Sequence, residues 1–399
     1  MNKKCIITKC NGLLFCALME EGRIASLDII RKSHGILGNI YIGKVKHILK
    51  NIQSAFVEIG DGQVCYLSLK EAKNPIFTTD KKDGTIRCGD EILVQVSREA
   101  MRTKEPVVTT NISFPGKYTV ITTGKKYLGL SGKMSPEEKE TWKERLSSFF
   151  DDFPFGIILR TNAKNVSFPI VEEELKKGRK ELEKLFSIAK HRTCFSLIKE
   201  SAKQYLIQVR DLYSQHLEGI VTDDPKVYKE INDYLSSYEP ENLHKLTFYQ
   251  DKLLPLDKLY SFETTIKEAL SKKIWLKSGG YLVIEQTEAL VAVDVNTGKY
   301  IGNKKMQDTF LKINREAAKE IAYQLRLRNL SGIILIDFID MEEKEYQEML
   351  LRELGLHFSK DPIQTTLVDM TVLHLVEVTR KRIRKPLWEQ IQEGEREKE

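Results

Sequence analysis

The chain has 399 residues, 41% apolar and 30% charged, with a net charge of +6 and a pI near 8.7. This composition excludes a disordered protein and leaves room for two or more compact units. The mild positive charge tolerates a polyanionic partner without identifying one. No run approaches the roughly 20 apolar residues needed to span a bilayer. Six cysteines, at positions 5, 10, 16, 65, 88 and 194, lack any C-x-x-C spacing, as expected of reduced thiols in a soluble, cytoplasmic protein.

Residues 4–30 alternate apolar and polar around Cys10-Asn11-Gly12 and Glu20-Glu21-Gly22-Arg23, which predicts a β-meander. Short strands follow at 38–48, 54–60, 65–69 and 89–96, broken by Gly-Asp-Gly turns, and their spacing predicts a small closed barrel. Residues 109–161 stay strand-rich, with a helix from the cap at Ser135 to about Phe150. A longer helical region is expected over 170–213, carrying Leu182, Leu185, Phe186 and Ile188 on one face. Residues 220–275 mix short elements around Pro225, Pro240 and Pro255. The last unit reads as a strand at 281–296, a helix at 308–328, a strand at 331–337, a helix at 343–354 and two further strands.

The two apolar strands of that last unit each end in an aspartate, Asp294 and Asp337. Either acid alone is most simply a helix cap or an arginine partner. A right-handed crossover sets the two strand ends side by side, however, and two adjacent carboxylates hold a divalent cation with an open face. Asn296 points to the same side as Asp294 and is placed to contact a phosphate; Asp340 ranks lower as a third ligand. In the barrel, Phe56 and Tyr66 lie among Lys44, Lys46 and Lys104. Core packing and base stacking are about equally good readings of those rings. Arg160-Thr161 ends a strand and suits either a phosphate monoester or, as is common for strand-end arginines, a surface ion pair, and Arg380–Lys385 reads equally as a solvated edge or a phosphate track.

Several motifs together resemble the catalytic region of the ribonuclease E/G family. These are Ser278-Gly-Gly, Ile284-Glu-Gln-Thr-Glu-Ala-Leu, Val293-Asp-Val-Asn-Thr-Gly298, Asn314-Arg-Glu-Ala-Ala-Lys-Glu-Ile-Ala, Gln324–Gly332 and Ile336-Asp-Phe-Ile-Asp-Met341. The resemblance extends more weakly to Gly38–Val45, Ala55-Phe-Val and Leu375–Arg382. It implies a multidomain α+β and α/β fold: a ribonuclease H-like unit (1–35 and 205–272) interrupted by an S1, OB-type β-barrel (36–114) and a 5′-sensor region (115–204), then a DNase I-like catalytic unit (273–399).

The same resemblance implies Asp294 and Asp337 as ligands of Mg2+, with Asn296 on the scissile phosphate. It gives Phe56, Tyr66 and Lys104 to RNA binding, and Arg160, Thr161, Gly116 and Val120 to reading a 5′-monophosphate. The implied activity is magnesium-dependent cleavage of single-stranded, AU-rich RNA to 5′-phosphate and 3′-hydroxyl ends, on rRNA and tRNA precursors or mRNA. The alternative is a non-catalytic S1-type RNA-binding protein in rRNA maturation. Two departures qualify the resemblance. The Cys-Pro-x-Cys motif that links protomers through zinc is missing, so a zinc-linked dimer is not expected and other oligomers stay open. An arginine that usually backs the 5′ pocket is replaced near Val372, and Gly132-Lys133 stands where two basic residues are usual, so weaker 5′ sensing is expected.

Overall fold

The computed structural model describes residues 3–31, 35–79, 81, 83–100, 105–212, 217–298 and 306–398. The chain divides into two compact units, Met1–Lys32 with Ser214–Glu399, and Ser33–Tyr213. The first unit opens on the expected meander: β1 (Lys3–Cys10), β2 (Leu13–Glu20) and β3 (Arg23–Ile30) pair antiparallel. Both of its turns place two residues at positive φ, Asn11-Gly12 and Glu21-Gly22. That backbone twist suits a tight hairpin and favours glycine at the second position.

In the second unit, β4 (Ile40–Leu49), β5 (Ser54–Glu58), β6 (Val64–Ser68), β7 (Glu91–Arg98) and β8 (Val107–Thr109) run in the order β4-β5-β6-β8-β7, and β4 pairs again with β7. The result is a closed five-stranded barrel consistent with an S1-like OB fold. Val45, Ala55, Val57, Leu67, Ile92 and Val94 fill its interior. A second sheet joins β9 (Ser113–Pro115), β10 (Thr119–Thr122), β11 (Leu128–Leu130) and β12 (Gly156–Leu159).

Helix α1 (Pro136–Asp151) starts at a capping box: the Ser135 hydroxyl accepts from the Glu138 N–H, and the Glu138 side chain accepts from the Ser135 N–H. Helix α2 (Phe168–Lys190) buries Val171, Leu175, Leu182 and Leu185. It stops well short of the expected 213. The Phe195 N–H donates to the Ile42 carbonyl (2.8 Å) and Ile42 donates to the Ser196 carbonyl (3.1 Å), so the chain turns extended as β13 (Leu197–Lys199) along β4. Pairing with the start of β4, which β5 leaves unpaired, outweighs helical propensity there. A separate short helix, α3 (Gln204–Asp211), follows.

Back in the first unit, β14 (Leu217–Thr222) lies parallel to β1, and β15 (Leu246–Phe248) lies parallel to β14, completing a five-stranded sheet. Helices α4 (Pro225–Tyr238), α5 (Leu256–Leu259) and α6 (Phe262–Leu270) accompany it. The remaining strands are β16 (Lys273–Trp275), β17 (Tyr281–Gln286), β18 (Leu290–Asn296), β19 (Gly332–Asp337), β20 (Thr365–Met370) and β21 (Leu375–Arg380). They form one sheet in the order β16-β17-β18-β19-β21-β20.

Helices α7 (Met306–Leu327), α8 (Lys344–Phe358) and α9 (Leu387–Arg396) belong to the same unit. One face of the six-stranded sheet packs Val291, Val293, Val295, Ile334, Ile336, Val376 and Val378 against Ile313, Ala317, Ile321, Leu325, Leu350 and Leu354 of α7 and α8. The expected single strand over 281–296 is a hairpin. The Thr287 N–H donates to the Leu290 carbonyl (2.9 Å), and the Thr287 hydroxyl accepts from the Leu290 N–H (3.1 Å). This polar Thr287-Glu288-Ala289 turn closes β17 onto β18.

Candidate active site

Strand alternation decides what faces the helices and what faces out. In β18, Val293 and Val295 are buried while Asp294 is exposed; in β19, Ile334 and Ile336 are buried while Asp337 is exposed. The two strands are parallel neighbours joined through α7, and their register sets Asp294 directly against Asp337. Both carboxylates therefore stand side by side on the uncovered face of the sheet.

The Asn296 amide donates to Asp294 Oδ2 at 2.7 Å and so fixes that carboxylate. Partial desolvation, followed by the negative charges of Asp294 and Asp340, pushes the Asp337 carboxyl above its ordinary value. A cation relieves that repulsion. Among the described residues no group of three or more His, Cys, Asp or Glu side chains is gathered closely enough to hold a metal. The aspartates are thus a pair of hard oxygen donors, too few to close a coordination sphere by themselves.

The strand ends are braced from α7. The buried Asn314 donates its amide to the Ile339 carbonyl (2.8 Å) and accepts from the Ile339 N–H (3.1 Å), fixing the chain between Asp337 and Asp340. Glu316 accepts from the N–H groups of Lys277 (2.6 Å) and Ser278 (3.1 Å) and holds the loop before β17. The helix stripe seen in the sequence has no place for either residue, because both are polar and act on backbone outside the helix.

In the barrel, Phe56 on β5 and Tyr66 on β6 are direct cross-strand partners, half-buried, with ring centroids 6.2 Å apart in an edge-to-face arrangement. The Ser54 hydroxyl donates to the Tyr66 hydroxyl at 2.7 Å. Lys46 pairs with Glu58 at 2.8 Å, and Lys44 stands opposite Glu58 in the register. Lys104 lies outside the described residues.

Arg160 follows β12, and its Nη1 donates both to the Gly116 carbonyl (2.7 Å) and to Asp211 Oδ1 (2.8 Å). The Thr161 hydroxyl meets that of Ser131 at 2.7 Å. Val120 pairs with Pro115 and Ile158 on β10. Arg160, Thr161, Gly116 and Val120 thus share one small sheet and its loops. Two acids that the sequence did not single out also shape this region. Glu174 on α2 accepts from the N–H groups of Lys117, Tyr118 and Thr119 at 2.8–3.2 Å, and from the Thr119 hydroxyl at 2.7 Å. Asp211 also takes Arg210, at 2.9 Å. Burial alone would raise the Asp211 carboxyl, but the Arg160 hydrogen bond and the charges of Arg210 and Arg160 hold it below its ordinary value.

The basic run at 380–385 divides. Arg380 is 3% exposed and pairs with the buried Asp361 at 2.8 Å, so it is structural and unavailable to a phosphate backbone. Arg384 pairs with Asp28, and Lys385 with Glu393. Lys381 and Arg382 are exposed.

The family model of the ribonuclease E/G family matches residues 113–383. The chain belongs to the ribonuclease E/G family. Its sequence is 36% identical over 387 residues to ribonuclease G of Haemophilus influenzae, an alignment that covers 93% of this chain and 78% of that protein. Ribonuclease G of Escherichia coli is 34% identical over 388 residues, with the same coverage. Ribonuclease E of Synechocystis sp. is 33% identical over 379 residues, 94% of this chain and 56% of that protein. Membership of the ribonuclease E/G family makes the chain an endoribonuclease, a hydrolase of phosphodiester bonds. Among the described residues of this family member, no helix is long and apolar enough to cross a membrane.

Proposed function

We propose that the chain is a magnesium-dependent endoribonuclease that cuts single-stranded RNA to 5′-phosphate and 3′-hydroxyl ends, in rRNA or tRNA processing or mRNA decay in the cytoplasm. The observation that carries this reading is the register of Asp294 on Asp337, with Asn296 hydrogen-bonded to the first. In this proposal an S1 barrel (36–114) and a 5′-sensor region (115–204) interrupt a ribonuclease H-like unit (1–35 and 205–272), and a DNase I-like unit (273–399) carries the chemistry.

Asp294 and Asp337 are the ligands that would hold Mg2+, which supplies a polarised phosphate oxygen and a bound water of lowered pKa. Asn296 keeps the Asp294 carboxylate in place with one amide N–H and offers the second to a scissile-phosphate oxygen. Water forms the new bond to phosphorus as the bond to the 3′ oxygen breaks, which leaves the phosphate on the 5′ side of the downstream fragment. Phe56 and Tyr66 offer ring faces to unpaired bases, with Lys104 on the backbone. Arg160 and Thr161, with the loop at Gly116 and Val120, receive a 5′-monophosphate, which must compete with Asp211 for the guanidinium.

The test is cleavage of unstructured 5′-monophosphorylated RNA with magnesium, beside an Asp294→Asn, Asp337→Asn double variant. The expected loss is about 10²-fold or more in kcat, the scale seen when a group that stabilises the transition state is removed. RNA bound by both proteins and cut by neither would leave an S1-type binding protein instead.

A further inference from the structure

We infer that the open face of the catalytic sheet carries a base-stacking subsite, built from Trp275 and Tyr281 beside Asn296, for an unpaired nucleobase flanking the cut. This rests on the endoribonuclease reading of the Asp294–Asp337 pair and deepens it. The register places Trp275 of β16 against Tyr281 of β17, and Tyr281 against Asn296 of β18. Directly paired residues share a face of the sheet. Their neighbours Ile274, Leu282 and Val295 pack on the helix side, so Trp275, Tyr281 and Asn296 face outward with Asp294.

Trp275 is 63% exposed, and its ring centroid stands 5.3 Å from that of Tyr281 at 61°. The Lys273 ammonium lies 3.6 Å from the Tyr281 centroid and 4.3 Å from that of Trp275. With strands about 4.8 Å apart, Tyr281 is one strand and Trp275 two strands from the Asn296–Asp294 edge, within reach of the nucleotides next to the scissile phosphate.

The chemistry favours a base over a phosphate or a protein. Asp294, Asp337 and Asp340 repel an RNA backbone, so an uncharged group is favoured beside them, and every base offers a π-face. Lys273 adds one positive charge at the rings for the backbone of the stacked nucleotide. Stacking of this kind tolerates any sequence but requires an unpaired strand, which matches the single-strand preference proposed above.

The test uses the full chain and a synthetic 5′-monophosphorylated RNA with one cut site. A Trp275→Ala, Tyr281→Ala variant should raise KM roughly tenfold with kcat within about twofold, and Trp275→Phe, Tyr281→Phe should restore most of it. An abasic nucleotide beside the cut should weaken the wild type to the same extent and the alanine variant little further. An unchanged KM, or equal abasic losses in both proteins, overturns the subsite. If the wild type does not cut at all, the endoribonuclease reading fails, and the subsite is still read separately. In a Trp388→Phe background, with Trp142 buried, quenching of tryptophan fluorescence by a short single-stranded RNA supports stacking on Trp275. No quenching overturns it.

Discussion

The Glu174 carboxylate accepts from three consecutive backbone N–H groups, and the loop from which Arg160 takes the Gly116 carbonyl is wrapped around it. Glu174→Ala leaves those amides without their acceptor, at about 1–3 kcal/mol for each group that stays unsatisfied. Urea unfolding should therefore give a lower midpoint. Gly116→Ala acts on the same contact from the other side, since an added Cβ would sit 2.5 Å from the Glu174 carboxyl carbon. Relief of that overlap costs about 1–3 kcal/mol and should also slow cleavage of 5′-monophosphorylated RNA more than of 5′-hydroxyl RNA. Asp211→Asn removes the anion that competes for Arg160, so KM for monophosphorylated RNA should fall by a few-fold while 5′-hydroxyl RNA is unaffected. Arg160 and Asp294 were legible in the sequence because each sits at the end of an apolar strand. Glu174 and Asp211 were not: they lie in helices more than 50 residues from the loop and the arginine they hold, and only the fold brings them there.

Among elements, the hairpin of β20 and β21 depends on a charge that reads from the sequence equally as part of a solvated edge or of a phosphate track. Arg380 donates to Asp361, to Asn329 Oδ1 and to the Leu330 carbonyl, tying β21 to the start of β19 and to the loop after α8. Arg380→Ala strands a buried carboxylate and should cost about 3–5 kcal/mol, seen as a drop in Tm. Lys381→Ala, one residue on and exposed, should leave Tm unchanged. Hydrophobic period found many of the elements themselves: the meander, the barrel strands β4–β7, α7 and the strand tipped by Asp337 lie where alternation or a helical stripe puts them. It failed where pairing with another strand decided the outcome. The region after Lys190 becomes an edge strand on β4, and residues 281–296 fold back as a hairpin. Neither event has a local cause strong enough to read from sequence.

Across the whole molecule, several carboxylates are held below their ordinary range by basic partners. Burial opposes the effect at Glu20, Asp211 and Asp224, but Lys3 and Arg326, Arg160 and Arg210, and Lys9 with the amides of Lys226 and Val227, respectively, outweigh it. Lys258 and Lys267 bring Glu263 down to about 2. A carboxyl whose pKa falls on folding stabilises the native state above its unfolded pKa, and that contribution is lost as pH drops through the folded value. The contribution of these carboxylates should thus be lost progressively between about pH 4.5 and 2, measured as Tm against pH, after an earlier decline that begins near pH 6.5, where burial of the His357 imidazole opposes its protonation. High salt should shrink the exposed contributions most.

The division of the chain has a bearing on how the protein is made. Strands β1–β3 leave the ribosome before the other described strands, and β14, the parallel neighbour of β1, is encoded more than 200 residues after it. At 5–20 residues per second, translation keeps the open edge of β1 waiting about 10–40 s. Its Ile6 and Ile7, fully buried at the end, stay within reach of other nascent chains throughout that interval. Slowing elongation across residues 33–213 should therefore lower the soluble yield of this protein more than slowing it across β16–β21, whose strands meet soon after they emerge.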